Sequence, residues 1–165
     1  MRDRLVRMCR EAKDRLHDAD ILAASIDTRS DSQALLRVLA FEVLLKAALL
    51  AASGRPPRNV HKYADLWRQL PAPVQAEVLA FARARMAGHT DLSDVEKLLK
   101  WFQFVFVNTR YHYELYDGYT LAEQRELGEL WENLGAPTEE AIVQYHPLEL
   151  QCLTEGLLAY VEKML

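Results

Sequence analysis

The sequence predicts an all-α fold, a single up-and-down-like bundle of five to six helices spanning residues 1–165, and three observations lead there. Apolar residues recur at helical spacing through long segments. The six glycines and six prolines fall almost entirely at the joints between those segments. Half of the residues are hydrophobic and 27% are charged, the balance of a folded domain with a core. At 165 residues the chain is the size of one domain and needs neither disulfide nor metal to hold it.

The first helix is expected from about Asp3 to Ile26, with Leu5, Met8, Cys9, Ala12, Leu16, Ala19, Leu22 and Ala23 along one stripe. A second runs from Asp31, capped by Ser30 or Asp31 and stopped at Gly54. It is apolar nearly all round, the mark of a central helix, and Glu42 and Lys46 are its interior charges besides Arg37. Ser53 to Asn59 reads as a loop. A short helix from His61 to about Leu70 ends at Pro71 and Pro73, and another runs from about Val74 to Met86 before Gly88.

The next long helix starts near Asp91 or Ser93, where Ser93 with Glu96 has capping-box spacing, and continues to Tyr116. Its aromatic run Trp101 to Val107 has strand propensity, but the helical period on both sides overrides it. This helix is expected to be the central antiparallel mate of the second. The stretch from Thr120 to Leu134 reads as helical and strongly acidic, with seven acids from Asp117 to Glu140 against Arg125 alone. A last helix runs from about Pro147 to Leu165.

Several function classes fall away on composition. No apolar run reaches the roughly 18 residues of a membrane span, because Glu42 and Lys46 interrupt the best candidate. Met1 to Arg15 carries six basic residues without an apolar segment behind them, unlike a secretory leader, so a cytoplasmic protein is expected. Cys9 and Cys152 are too few for a disulfide framework or a zinc site. No phosphate-cradling glycine loop, zinc-binding His-Glu-x-x-His helix or nucleophile elbow is present, so no cofactor or metal is expected. A net charge of −4 disfavours a wholesale nucleic-acid coat and leaves room for a local patch.

The informative region is the second helix together with the loop and short helix after it. Phe41-Glu42-Val43-Leu44-Leu45-Lys46, then Ser53-Gly54, then His61-Lys62-Tyr63-Ala64-Asp65-Leu66-Trp67 with Leu70, resembles the HEPN superfamily. Its members are small helical bundles with a Glu-x-x-x-Lys pattern on the second helix and a histidine opening a short helix after it. Asn108-Thr109-Arg110-Tyr111-His112-Tyr113-Glu114 is similar to the Arg-Tyr element on a later helix of some branches. The likeness covers about Asp31 to Glu114. It implies nucleotide or RNA binding, partnership with another protein, or metal-independent RNA cleavage by an arginine and a histidine four to six residues apart on one helix of a dimer. There the histidine would act as general acid or base on the 2′-hydroxyl while the arginine stabilises phosphate charge.

The sequence departs from that catalytic pattern. Arg110 and His112 are two residues apart, which on a helix turns them about 200° from one another. Arg55 with His61 has the spacing but spans two prolines, Arg83 with His89 crosses Gly88, and Arg10 with His17 lies on the first helix. The expectation is therefore a HEPN-like nucleotide- or RNA-binding or partner-regulating module without an intact catalytic pair, in prokaryotic stress or defence. The alternatives are a metal-independent RNase toxin using Arg110 and His112, and a purely structural dimerising domain.

Two readings compete for the charged residues. In one, Glu42, Lys46, Arg110 and Glu114 form an internal ion-pair network between the two apolar helices, since buried charges need partners. In the other, the network lines a ligand cleft where a phosphate meets Lys46, His61, Arg110, Tyr111, Arg55 and Arg58. The aromatic set Trp101, Phe104, Tyr111, Tyr113 and Tyr116 exceeds the needs of one seam, so a homodimer built partly on it is expected. Dimerisation could also bring Arg110 of one chain near His112 of the other.

Overall fold

A computed structural model describes residues 1–24, 32–55 and 60–165, without the side chains of Thr109 and His112. The expected Ser30 or Asp31 cap, the end of the first helix at Ile26 and Arg58 lie outside the described residues. Among the described residues the fold is all-helical: seven α-helices and two short 3-10 segments. The α-helices are α1 (Arg2–Ala24), α2 (Ser32–Ser53), α3 (Tyr63–Gln69), α4 (Ala72–Arg85), α5 (Val95–Asn108), α6 (Leu121–Asn133) and α7 (Pro147–Lys163). Among the described residues there are seven α-helices rather than five or six, one for each helical segment read from the sequence, the break at Pro71 and the acidic helix included.

α2 is the central element, as its all-round apolarity requires. Val38, Ala40, Phe41, Leu44, Leu45, Ala47 and Ala48 have no solvent exposure, and the helix packs most extensively along α1 and then α7. The buried seam of α1 is Leu5, Cys9, Ala12 and Ala19, and past Leu5 its small side chains let two backbones approach closely. Arg37 reaches Asp20 across this seam at 2.6 Å, and Lys13 ties α1 to Glu162 of α7 at 2.5 Å. α4 lies against α7, where Gly156 passes the Val78 carbonyl so closely that a Cβ would sit 2.8 Å from it. Arg85–Glu155 and Lys163–Glu77 pairs flank that contact.

α5 is not the principal mate of α2. It meets α2 over a shorter stretch, through edge-on packing of Phe41 on Phe102 with ring centroids 5.5 Å apart. The reason is that the α-helix stops at Asn108. Thr109–Tyr116 continues as a tight 3-10 segment broken at Tyr111, whose φ of −127° and ψ of 53° are not helical. The N-terminus also differs from the expected box. Asp94 accepts the Lys97 backbone N–H at 2.9 Å, while Glu96 is drawn away to Arg68 of α3 at 3.1 Å. The capping box appears instead at α6, where Thr120 and Glu123 satisfy each other's backbone N–H groups. α6 contributes no buried residue. No helix among the described residues is long and apolar enough to cross a membrane.

Candidate functional site

The site grows from one buried carboxylate. Glu42 is 4% exposed in the middle of α2, and an ion in that position must be met by donors. Three arrive. Lys46, one turn later on the same helix face, donates to Oε1 at 2.6 Å, and His61 Nδ1 donates to the same oxygen at 2.9 Å. Tyr63, at the start of α3, donates its hydroxyl to Oε2 at 3.1 Å. The chain between α2 and α3 thus brings a histidine and a tyrosine, two residues apart, onto the two oxygens of a single side chain.

These donors occupy different environments. Tyr63 is fully buried, with its ring edge-on to Phe41 and tilted against Phe106. Burial first, then the Glu42 charge and hydrogen bond, push its phenol well above the ordinary range, with Arg110 pulling weakly the other way. It is a neutral donor throughout the physiological range. His61 has a side chain 66% exposed. Because an ionised carboxylate can only accept, Nδ1 carries the proton and Nε2 is left on the far side of an open ring. The Lys46 charge is largely spent on Glu42.

Arg110 stands beside this group without joining the ion pair. Its guanidinium lies 4.6 Å over the Phe106 ring, and Phe106 in turn packs on Tyr63. The expected network through Arg110 and Glu114 therefore needs correction: among the described residues Arg110 makes no salt bridge to Glu42 or Glu114. Glu114 instead receives the Tyr113 hydroxyl at 3.2 Å. The change from α-helix to 3-10 at Thr109 removes the four-residue face on which that network depended.

Of the residues expected at a ligand cleft, Lys46 and His61 meet on Glu42, and Arg110 adjoins them through the Phe106–Tyr63 contact. Arg55 is exposed just past the end of α2. Tyr111 is exposed and packs edge-on against Tyr113 at 6.4 Å, with no described contact to Glu42. Arg58 and the side chain of His112 lie outside the described residues. Three members escaped the sequence reading: Tyr63, Phe106 and Gln103, whose side-chain oxygen accepts the Tyr63 backbone N–H at 3.3 Å. A signal for Tyr63 existed, since a tyrosine in a buried helix needs a partner for its hydroxyl and Glu42 needs donors.

Chemically, the corner offers an open imidazole nitrogen, an exposed guanidinium over an aromatic ring, and the exposed Lys62 and Arg55 nearby in sequence. The acid at its centre is buried and already neutralised. The arginines and Lys62 favour an anion with several acceptor oxygens, and His61 Nε2 adds a donor only when the ring is doubly protonated. No family model, curated protein or solved structure matches the chain.

Proposed function

We propose that this chain is a HEPN-like module that binds a phosphate-bearing ligand, nucleotide or RNA, at the Glu42–His61–Arg110 corner, with a role in prokaryotic stress or defence. The observation that carries the reading is the pairing of a buried carboxylate with an exposed histidine. Glu42 accepts from Nδ1 and leaves Nε2 on the open side of His61, where it can donate to a phosphate oxygen when the ring is doubly protonated, and Arg110, over the Phe106 ring that packs on Tyr63, supplies a second cation. Arg110 and His112 do not supply an intact catalytic pair on one helix in this reading.

The test is fluorescence anisotropy with a labelled short single-stranded RNA, with an unlabelled mononucleotide and inorganic phosphate as competitors. Competition by mononucleotide alone identifies a nucleotide site. Resistance to it identifies an RNA backbone site, whose affinity would also fall with rising salt. His61→Ala and Arg110→Ala should each weaken binding about tenfold, the worth of one charge-assisted hydrogen bond. Absence of binding by any of the three ligands would leave the purely structural reading.

A metal-independent RNase is the second reading, favoured by the same carboxylate–histidine pair, which is the arrangement a general base uses. Cleavage of RNA in the presence of EDTA, lost in Arg110→Ala or His112→Ala, would replace binding by catalysis. Loss in His61→Ala alone would assign the base to His61.

A further inference from the structure

Two aromatic side chains of α5 belong neither to the core nor, among the described residues, to the partly buried groups packed against it. Leu98, Leu99, Phe102 and Val105 carry the buried face of the helix, and Phe106 packs on the core beside Tyr63. Trp101 and Phe104 lie outside that cluster, half-buried, and pack edge-on with ring centroids 5.3 Å apart. In an edge-on pair only one ring gives its face to the other, so aromatic surface stays available to a third flat ring.

Lys97 and Lys100 complete this outward face. With Trp101 and Phe104 they fall at i, i+3, i+4 and i+7, one side of the helix, and the four line an open groove of about 550 Å³. The remaining lining residues are two acids, Asp94 and Glu96, so the groove carries no net charge. It therefore matches an uncharged, flat group better than an anion or a cation. Its charges are not equally free, however. Glu96 is paired with Arg68 at 3.1 Å, and Asp94 accepts the Lys97 backbone N–H at 2.9 Å. Both lysines are exposed and form no salt bridge among the described residues. Free cations beside an aromatic platform are the combination that holds a single nucleic-acid strand: bases stack on the rings and the backbone meets the lysines.

We infer that the Trp101–Phe104 groove is a base-stacking subsite for single-stranded RNA, with the phosphodiesters next to the stacked base on Lys97 and Lys100. The subsite rests on the reading of the Glu42–His61–Arg110 corner as a phosphate site, and it narrows the ligand of that corner. Phe104 and Phe106, the ring under Arg110, are two residues apart and face about 200° from one another on a helix about 10–12 Å across with its side chains. A single nucleotide, whose base and phosphate are joined through one sugar, does not reach around α5 to both. An oligonucleotide does.

Fluorescence anisotropy of the full chain, with a labelled short single-stranded RNA and with the same strand made without its bases, separates the groove from the corner. The RNA is expected to bind about tenfold more tightly than the abasic strand, within the range that stacking of one base supplies. Trp101→Ala and Phe104→Ala should each remove most of that difference by weakening the RNA alone, and Trp101→Phe should keep most of it. Both positions lie outside the core, so helical content and Tm should not change. His61→Ala and Arg110→Ala should weaken the two strands alike. Equal binding of the two strands by wild type, or a preference for bases that survives in the Trp101→Ala/Phe104→Ala double variant, would overturn the subsite and leave the corner standing on its own variants. No binding of either strand would remove both. A second copy seated in the groove would show as wild-type self-association that Trp101→Ala abolishes, with no preference for bases, and would also overturn it.

Discussion

Lys46 holds the least forgiving position in the molecule, because the carboxylate it neutralises has no water to fall back on. Lys46→Ala leaves Glu42 buried with His61 and Tyr63 alone, and should lower stability by about 3 kcal/mol, the usual cost of breaking a buried ion pair from one side. Urea unfolding measures it. Tyr63 gives a pH signature. Its phenol is raised above the ordinary 10.0 by burial and Glu42. In the folded chain it stays protonated where the unfolded phenol ionises, so its contribution is complete below about pH 10 and is lost as pH rises above that. Between pH 10 and 11 wild type should lose about 1 kcal/mol more than Tyr63→Phe. Equal losses would show that Tyr63 is not the group concerned.

At the scale of elements, the contact between α4 and α7 depends on one missing side chain. Gly156→Ala would place a Cβ 2.8 Å from the Val78 carbonyl, a backbone atom that cannot swing aside. The expected cost is about 1–3 kcal/mol from overpacking, partly offset by the better helix propensity of alanine. Thermal melting reads the net loss, and a gain in Tm would contradict the close approach. The opposite holds for α6: with no buried residue to lose, Leu130→Asp should leave the stability of the monomer within about 0.5 kcal/mol. These elements differ in how far the sequence exposes them. The apolar period of α2 marks its central place, because a helix without a polar face has one possible environment. The end of α5 does not show, since the aromatic period runs on past Asn108 while the backbone tightens to 3-10. The Ser93–Glu96 spacing misleads for a tertiary reason, the attraction of Glu96 to Arg68 on another helix.

Across the whole molecule, α1 and α7 pack on α2 at the centre of the core, and α3 and α5 lean on α2 to shape the charged corner. The sequence points to that corner through the Glu42–Lys46 spacing and the position of His61, each of which rests on local pattern. The role of Tyr63 and the seat of Arg110 on Phe106 depend on how α3 and α5 cross, and spacing within one helix carries no such information. The central claim is that Glu42 presents His61 to a phosphate beside Arg110. Its most direct test is NMR of the histidine rings during titration with a mononucleotide and then a short RNA. The account predicts that the His61 ring resonances shift with saturation, that His17 and His89 stay in place, and that in Arg110→Ala the same shift needs about tenfold more ligand to saturate. Binding that moves other histidines while leaving His61 unchanged, or a His61 shift that saturates at the same ligand concentration in Arg110→Ala as in wild type, would contradict it.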